Sequence, residues 1–241
     1  EALAELAGRR GAMVSEDNAH GLFGSDRGRP LGTFGALAAL SFHETKNITC
    51  GEGGAVIVND GRYRDVVEVA RQKGTDRQRF LLGQVDKYTW IHPGSSYLLS
   101  DLLAAFLCAQ LEAWEWIQAQ RARVWQTYWD QLQEWAEARD VRLPIVPADR
   151  CEQSYHMFYL LLPSIEARGS LIRHLQERGI LSVFHYVPLH TSPMGRRGGG
   201  APGQLPVTER ISDQLLRLPF YTNMTQDEQR EVIDALWRWQ G

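Results

Sequence analysis

The chain has 241 residues, with 26 Lys and Arg against 29 Asp and Glu, a formal net charge of −3, and 44% hydrophobic residues. That balance belongs to an ordinary globular protein with room for one or two cores, and it excludes a collagen, a disordered acidic tail and a disulfide miniprotein. Basic residues are scattered rather than clustered, so no nucleic-acid partner and no membrane partner is expected, and small-molecule chemistry becomes the working assumption.

Residues 1–9 read as the end of a helix, and residues 12–15 as a short strand. The carboxyl end of that strand delivers Glu16, Asp17, Asn18, Ala19 and His20, at the place where open α/β sheets build their sites. A Gly-rich loop over 21–35 leads to apolar runs at 37–42 and 55–58, separated by the polar turn HETKNITCGEGG. Three short, nearly continuous apolar runs suggest a sheet buried on both faces. A helix is expected over 62–73, ended at Gly74. Residues 75–97 then show no clean period, and a loop that long in a compact domain is functional or covers a partner.

From Ser100, a reasonable N-cap, one long helix is expected, with Leu107, Leu111, Trp114, Ile117, Val124, Tyr128, Leu132 and Trp135 on a single stripe. It connects two expected domains, 1–135 and 136–241. The second reads as a small α+β unit: strands at 141–145 and 157–162, a helix at 167–178 closed by Gly179, and a strand at 181–186. A mobile Gly-rich loop over 196–206 and helices at 207–216 and 225–239 follow. Cys50, Cys108 and Cys151 lie too far apart in sequence for a zinc motif or a disulfide framework, so no metal is expected. No apolar run reaches the roughly 18 residues of a membrane helix, and the opening EALAELAGRRGAMVSED lacks the order of a signal peptide, which makes a cytoplasmic location the expectation.

The segment Ser41-Phe42-His43-Glu44-Thr45-Lys46-Asn47 ends an apolar run and precedes Gly51-Glu52-Gly53-Gly54. A lysine held in a polar turn between two buried strands is partly desolvated, which lowers its pKa and frees a nucleophilic amine for imine chemistry. Lys46 is thus a candidate nucleophile, and Ser41 with the neighbouring backbone amides could hold a phosphate. Asp17 and His20 offer a carboxylate and a donor of the kind that a pyridine ring nitrogen and a phenolic oxygen require.

The strings SEDNAHGLFG, RPLGTFG, SFHETKN, GEGGAVIVND, KYTWIHPGSSYLLSDLLAA and FHYVPLH, in this order, resemble the DegT/StrS-type sugar aminotransferases over essentially the whole chain. The resemblance implies the pyridoxal-phosphate-dependent transferase fold type I (aspartate-aminotransferase-like, α/β), here as an incomplete large domain plus a small carboxyl-terminal α+β domain. It implies pyridoxal 5'-phosphate as cofactor. Lys46 becomes the lysine that forms the imine with it and shuttles the proton, Asp17 the partner of the ring nitrogen, His20 the residue at the phenolic oxygen and Ser41 a phosphate ligand. Relatives read GxNYR where this chain has Gly94-Ser95-Ser96-Tyr97-Leu98, so Ser96 stands in place of an Asn that reaches the neighbouring subunit's phosphate. Tyr88, Trp90, His185 and His190 are candidates for the sugar nucleotide.

The SFHETKN and GSSYLLSD spellings imply amino transfer from L-glutamate to dTDP-4-dehydro-6-deoxy-D-glucose, in cell-surface polysaccharide biosynthesis. The family further implies a homodimer with its active site shared across the interface. Members of the family begin well before the first residue here, so the chain is expected to be the carboxyl-terminal portion of such an enzyme. The alternative is a truncated, catalytically inactive remnant or a partner module.

Overall fold

The computed structural model describes residues 2–241. The chain divides into two compact units, one running to Trp114 and including Pro147–Ser154, the other formed by Glu115–Val146 and Tyr155–Gly241.

The first unit contains α1 (Ala2–Arg9), β1 (Ser15–Asp17), the short strands β2 (Ser25–Asp26) and β3 (Arg29–Pro30), β4 (Leu37–Ser41), β5 (Gly54–Val58), α2 (Arg64–Arg71), α3 (Arg77–Leu81) and α4 (Asp101–Glu112). The helix α5 (Trp114–Glu137) begins at the boundary, and β6 (Cys151–Glu152) returns to the first unit. Its main sheet has the order β1-β4-β5, with β1 parallel to β4 and β4 antiparallel to β5. The turn between β4 and β5 closes on itself: Phe42 N–H donates to Gly53 O at 2.8 Å and Cys50 N–H to Phe42 O at 2.9 Å. Phe42, Ile48 and Cys50 are buried beneath it, an apolar plug that fixes a turn whose rim is polar.

The second unit adds β7 (Tyr159–Leu161), α6 (Ile165–Gln176), β8 (Val183–Phe184), α7 (Pro193–Arg197), α8 (Pro206–Gln214), β9 (Leu215–Arg217) and α9 (Gln226–Arg238). The sheet order β7-β9-β8 is antiparallel throughout. Trp125, Tyr128, Leu132 and Trp135 of α5 share one core with Phe158, Leu160, Leu171, Leu175, Leu216 and Leu236. Polar ends are satisfied within it: Tyr128 O–H donates to Pro219 O at 3.0 Å, and Trp135 Nε1–H to Leu236 O at 2.7 Å. The Arg121 guanidinium is buried as well. It donates to the carbonyls of Tyr155 and His156 at 2.8 and 2.6 Å, and burial lowers its pKa to about 10.

Several expectations are corrected. The long helix is two, α4 and α5, and no residue of α4 is buried, so the stripe packs only from Ile117 onward. The strand expected at 141–145 is a single bridge, Arg142 to Leu161, because Pro144 interrupts the run. Leu215 and Leu216, expected at the end of a helix, belong with Arg217 to a central strand, since Leu216 and Leu218 bury themselves at a period of two. The sheet expected to be covered on both faces is not: in β1, β4 and β5 only Ala38 is buried. Apolar spelling shows what a strand can bury, not what lies over it. Residues 196–206, read as a mobile loop, contain the end of α7 and then a turn tied down by Glu209, whose carboxylate accepts the N–H groups of Gly203 and Leu205. Polar contacts supply the order that apolar surface does not.

Leu216→Ala should destabilise the second unit by about 2–5 kcal/mol, the usual result of emptying a core site. Thr225→Ala, which removes the capping box that Thr225 and Glu228 form at the start of α9, should cost about 1 kcal/mol. Urea unfolding followed by tryptophan fluorescence checks both values and their order.

Candidate active site

The parallel register sets Glu16 opposite Ala38 and Asp17 opposite Ala39. Both strands therefore end at the same edge, and Asn18 N–H extends the pairing by donating to Ala39 O at 2.9 Å. Asp17 is exposed there, with Oδ1 accepting the N–H of Ala19 at 3.1 Å. His20 lies on the same turn, an exposed residue whose carbonyl accepts the Ser154 hydroxyl.

At the end of β4, the Ser41 hydroxyl accepts the N–H of His43 at 3.4 Å, which leaves its own O–H to donate elsewhere. His43 shapes the turn: its carbonyl accepts the N–H of Lys46 at 2.9 Å, and its ring meets the Thr45 hydroxyl at 3.0 Å. Asn47 is buried and its amide donates to Ser154 O. The Lys46 side chain emerges half-buried from a turn gripped on both sides.

Burial pushes the Lys46 amine below its ordinary pKa of 10.5, and the charge of Asp17 acts in the opposite direction. Desolvation is the larger effect, so the neutral, nucleophilic form is favoured relative to an ordinary surface lysine. Cys50 sits in the same turn, but burial, reinforced by Glu52, raises its pKa and keeps it an inert thiol. Among the groups at this edge, Lys46 is the one prepared for nucleophilic chemistry, and Asp17 is the carboxylate that its charge feels.

The other expected site residues fall in two places. Tyr88, Trp90 and Ser96 are exposed in the segment after α2, which is better ordered than its sequence suggests. Gln72 bridges to Ser96 and Thr75 to Trp90, while the N–H groups of Ile91 and His92 both reach Gly74 O. Gly74 allows this close approach, because a Cβ there would lie 1.7 Å from His92 O. Tyr88 packs its ring against Phe80 at 5.7 Å. His185 and His190 belong to the second unit. Burial, followed by the charge of Arg217, lowers the pKa of His185, whose Nδ1 is buried without a partner. His190 Nε2 is 2.8 Å from Glu209 Oε1 and joins the turn before α7 to α8.

Sequence reasoning passed over Glu16, Asn18 and Asn59 as working parts of this edge. Period-two alternation along β1 was the available signal, since it separates Glu16 and Asn18 from Asp17. The partners of their side chains are loop backbone atoms, which no side-chain pattern announces.

The sequence profile of the DegT/DnrJ/EryC1/StrS aminotransferase family matches residues 1–237. The chain belongs to this family. It is 32% identical to a dTDP-3-amino-3,4,6-trideoxy-alpha-D-glucose transaminase of Streptomyces venezuelae, over 99% of this chain and 59% of that protein. Among solved structures, S. venezuelae DesV superposes with a TM-score of 0.86 at 31% identity, over 99% of this chain and 60% of that one. A DegT DnrJ EryC1 StrS aminotransferase from Brucella abortus gives 0.84 at 27% identity, over 99% and 60% respectively. The fold is accordingly the type I α/β architecture of pyridoxal-phosphate-dependent transferases. The chain spans about 60% of the length of these family members.

Asp17→Asn removes the negative charge that helps hold a proton on Lys46, so the amine pKa should fall further and its acylation at mildly alkaline pH should rise several-fold relative to exposed Lys73. Competitive labelling with acetic anhydride and peptide mapping measures the ratio. An unchanged ratio would show that the two groups do not interact.

Proposed function

We propose that this chain carries the lysine-bearing part of a pyridoxal-phosphate-dependent sugar-nucleotide aminotransferase. The observation that carries this reading is the convergence of Lys46 and Asp17 at one sheet edge, an amine whose pKa burial lowers beside a carboxylate that remains accessible. The residues fit the cofactor by their chemistry: an amine for its aldehyde, a carboxylate for its ring nitrogen and a hydroxyl for its phosphate. When bound, pyridoxal 5'-phosphate supplies the electron sink that amino transfer requires.

Lys46 would hold the cofactor through its aldehyde and, as a free amine, would move the proton that amino transfer requires. Asp17 holds a proton on the ring nitrogen, and His20 donates near the phenolic oxygen. Ser41 binds phosphate, and Ser96 acts on the phosphate of a neighbouring subunit. Tyr88, Trp90, His185 and His190 orient the sugar nucleotide.

The proposed substrate is dTDP-4-dehydro-6-deoxy-D-glucose and the proposed donor L-glutamate. The SFHETKN and GSSYLLSD strings support the 4-keto position, whereas the S. venezuelae relative is named for a 3-amino sugar. A homodimer is proposed because the segment meant to reach a second subunit leaves large apolar side chains in water: Trp90 and Tyr97 are each 73% exposed, and Leu102 of α4 is 85% exposed. A cytoplasmic site of action is part of the same proposal, and no helix among the described residues is long and apolar enough to cross a membrane.

The chain has three lysines, Lys46, Lys73 and Lys87. Borohydride reduction in the presence of pyridoxal 5'-phosphate should leave a phosphopyridoxyl group on Lys46, and a label on Lys73 or Lys87 instead would overturn the assignment. In an enzyme of full family length carrying these residues, Lys46→Ala should abolish turnover. NMR of its product decides the regiochemistry: nitrogen at C4 is expected, and nitrogen at C3 would replace the proposed substrate with that of the relative.

A further inference from the structure

Glu16 takes no part in the chemistry described so far, yet its carboxylate is the most heavily bonded side chain at this edge. Oε2 accepts the N–H of Gly32 at 2.9 Å, and Oε1 accepts those of Phe34 and Gly35, each at 2.6 Å. The carbonyls of the same loop are held from the other side, where Asn59 Nδ2 donates to Gly32 O and Gly35 O, both at 2.9 Å. Asn18, buried two residues after Glu16, donates to Leu31 O at 3.0 Å. Alternation along the strand puts Glu16 and Asn18 on the loop side and leaves Asp17 on the other.

Two of the three donors are glycines, and the space explains why. A Cβ on Gly35 would lie 2.6 Å from Val14 O. Gly32 has φ +91, and a Cβ there would lie 2.9 Å from Asn18 Nδ2 and 3.0 Å from Ile57 Cδ1. Larger residues would push the loop out of reach of the carboxylate. Bonds from backbone N–H groups to an ionised carboxylate are about twice as strong as neutral ones, and β1 needs them. It has three residues, none of them buried, so its ladder alone is a weak anchor for a functional carboxylate.

We propose that Glu16 is a positioning residue, which clamps the 32–35 loop across the end of β1 and thereby fixes the backbone from which Asp17 faces Lys46. The inference rests on the roles proposed above for Asp17 and Lys46, but it can be tested on the cofactor-free chain. Glu16→Ala should speed amide hydrogen exchange at Gly32, Phe34 and Gly35 by about tenfold or more, as expected when a local closed state loses its bonds, while amides of β7 and β9 in the second unit keep their rates. If Asp17 then shifts away from Lys46, acylation of Lys46 should rise in the same direction as in Asp17→Asn. Loss of the Glu16 charge could act on Lys46 directly, and the double variant separates the two routes. Added to Asp17→Asn, Glu16→Ala should change Lys46 labelling no further.

Unchanged exchange at the three amides in a folded Glu16→Ala chain would overturn the clamp. Faster exchange with unaltered Lys46 labelling, or a labelling effect that persists in the double variant, would overturn the positioning role. Should Glu16→Ala not fold, Glu16→Gln serves. It retains one acceptor oxygen for Phe34 and Gly35 but turns an amide NH2 toward Gly32, so exchange should rise at Gly32 alone, and no rise there would overturn the clamp. A borohydride label on another lysine would refute the cofactor reading while leaving these exchange rates as they are, which keeps the two failures distinct.

Discussion

Three ladder positions, Ser15 to Asp17 against Leu37 to Ala39, bring Asp17 to the sheet edge from which the turn carrying Lys46 departs. Parallel pairing is the constraint that matters, because it sends the carboxyl ends of two strands out at one edge. An antiparallel partner would have delivered the loop of one strand beside the start of the other. With β1 and β4 parallel, Asp17 and the turn carrying Lys46 become neighbours although 28 residues of chain separate them, the intervening length being used for β2, β3 and the 32–35 loop.

The turn from β4 to β5 then solves a second problem. An amine that is to act as a nucleophile must be desolvated enough to lose its proton readily, yet stay reachable. The apolar plug of Phe42, Ile48 and Cys50 and the buried amide of Asn47 hold the turn rigid from within, while the polar rim of His43, Thr45 and Lys46 faces outward. Asp17 opposes the desolvation without cancelling it. Within one twelve-residue turn, 42–53, the residues that anchor it from within are thus different from those that face outward.

The second unit is held by other means. Its tryptophan-rich helix, three-stranded sheet and α9 share one core, and the buried Arg121 guanidinium ends on the backbone carbonyls of Tyr155 and His156. A guanidinium placed in this way orders loop carbonyls that have no ladder partner, at the desolvation cost that its lowered pKa reports. The first unit, by contrast, has little buried surface of its own: α4 buries nothing, and β5 is mostly exposed. Here the apolar plug of Phe42, Ile48 and Cys50 is joined by polar clamps such as Glu16 and Asn59.

Local signals in the chain were sufficient for the helix cap at Ser100, the strand cores at 37–41 and 159–161, and the motifs around Asp17 and Lys46 that mark the family. Those features depend on residues close in sequence, where propensity, alternation and turn chemistry act directly. Tertiary structure alone decided that 215–217 is a strand, because a three-residue edge of a helical pattern becomes a strand only when β7 and β8 are there to pair with it. It alone decided that Glu16 grips a loop sixteen to nineteen residues away, and that Asn59 holds the same loop from the far side. The atoms these side chains bind are backbone N–H and C=O groups, which every residue possesses, so their position in space, and not their spelling, determines which of them is used.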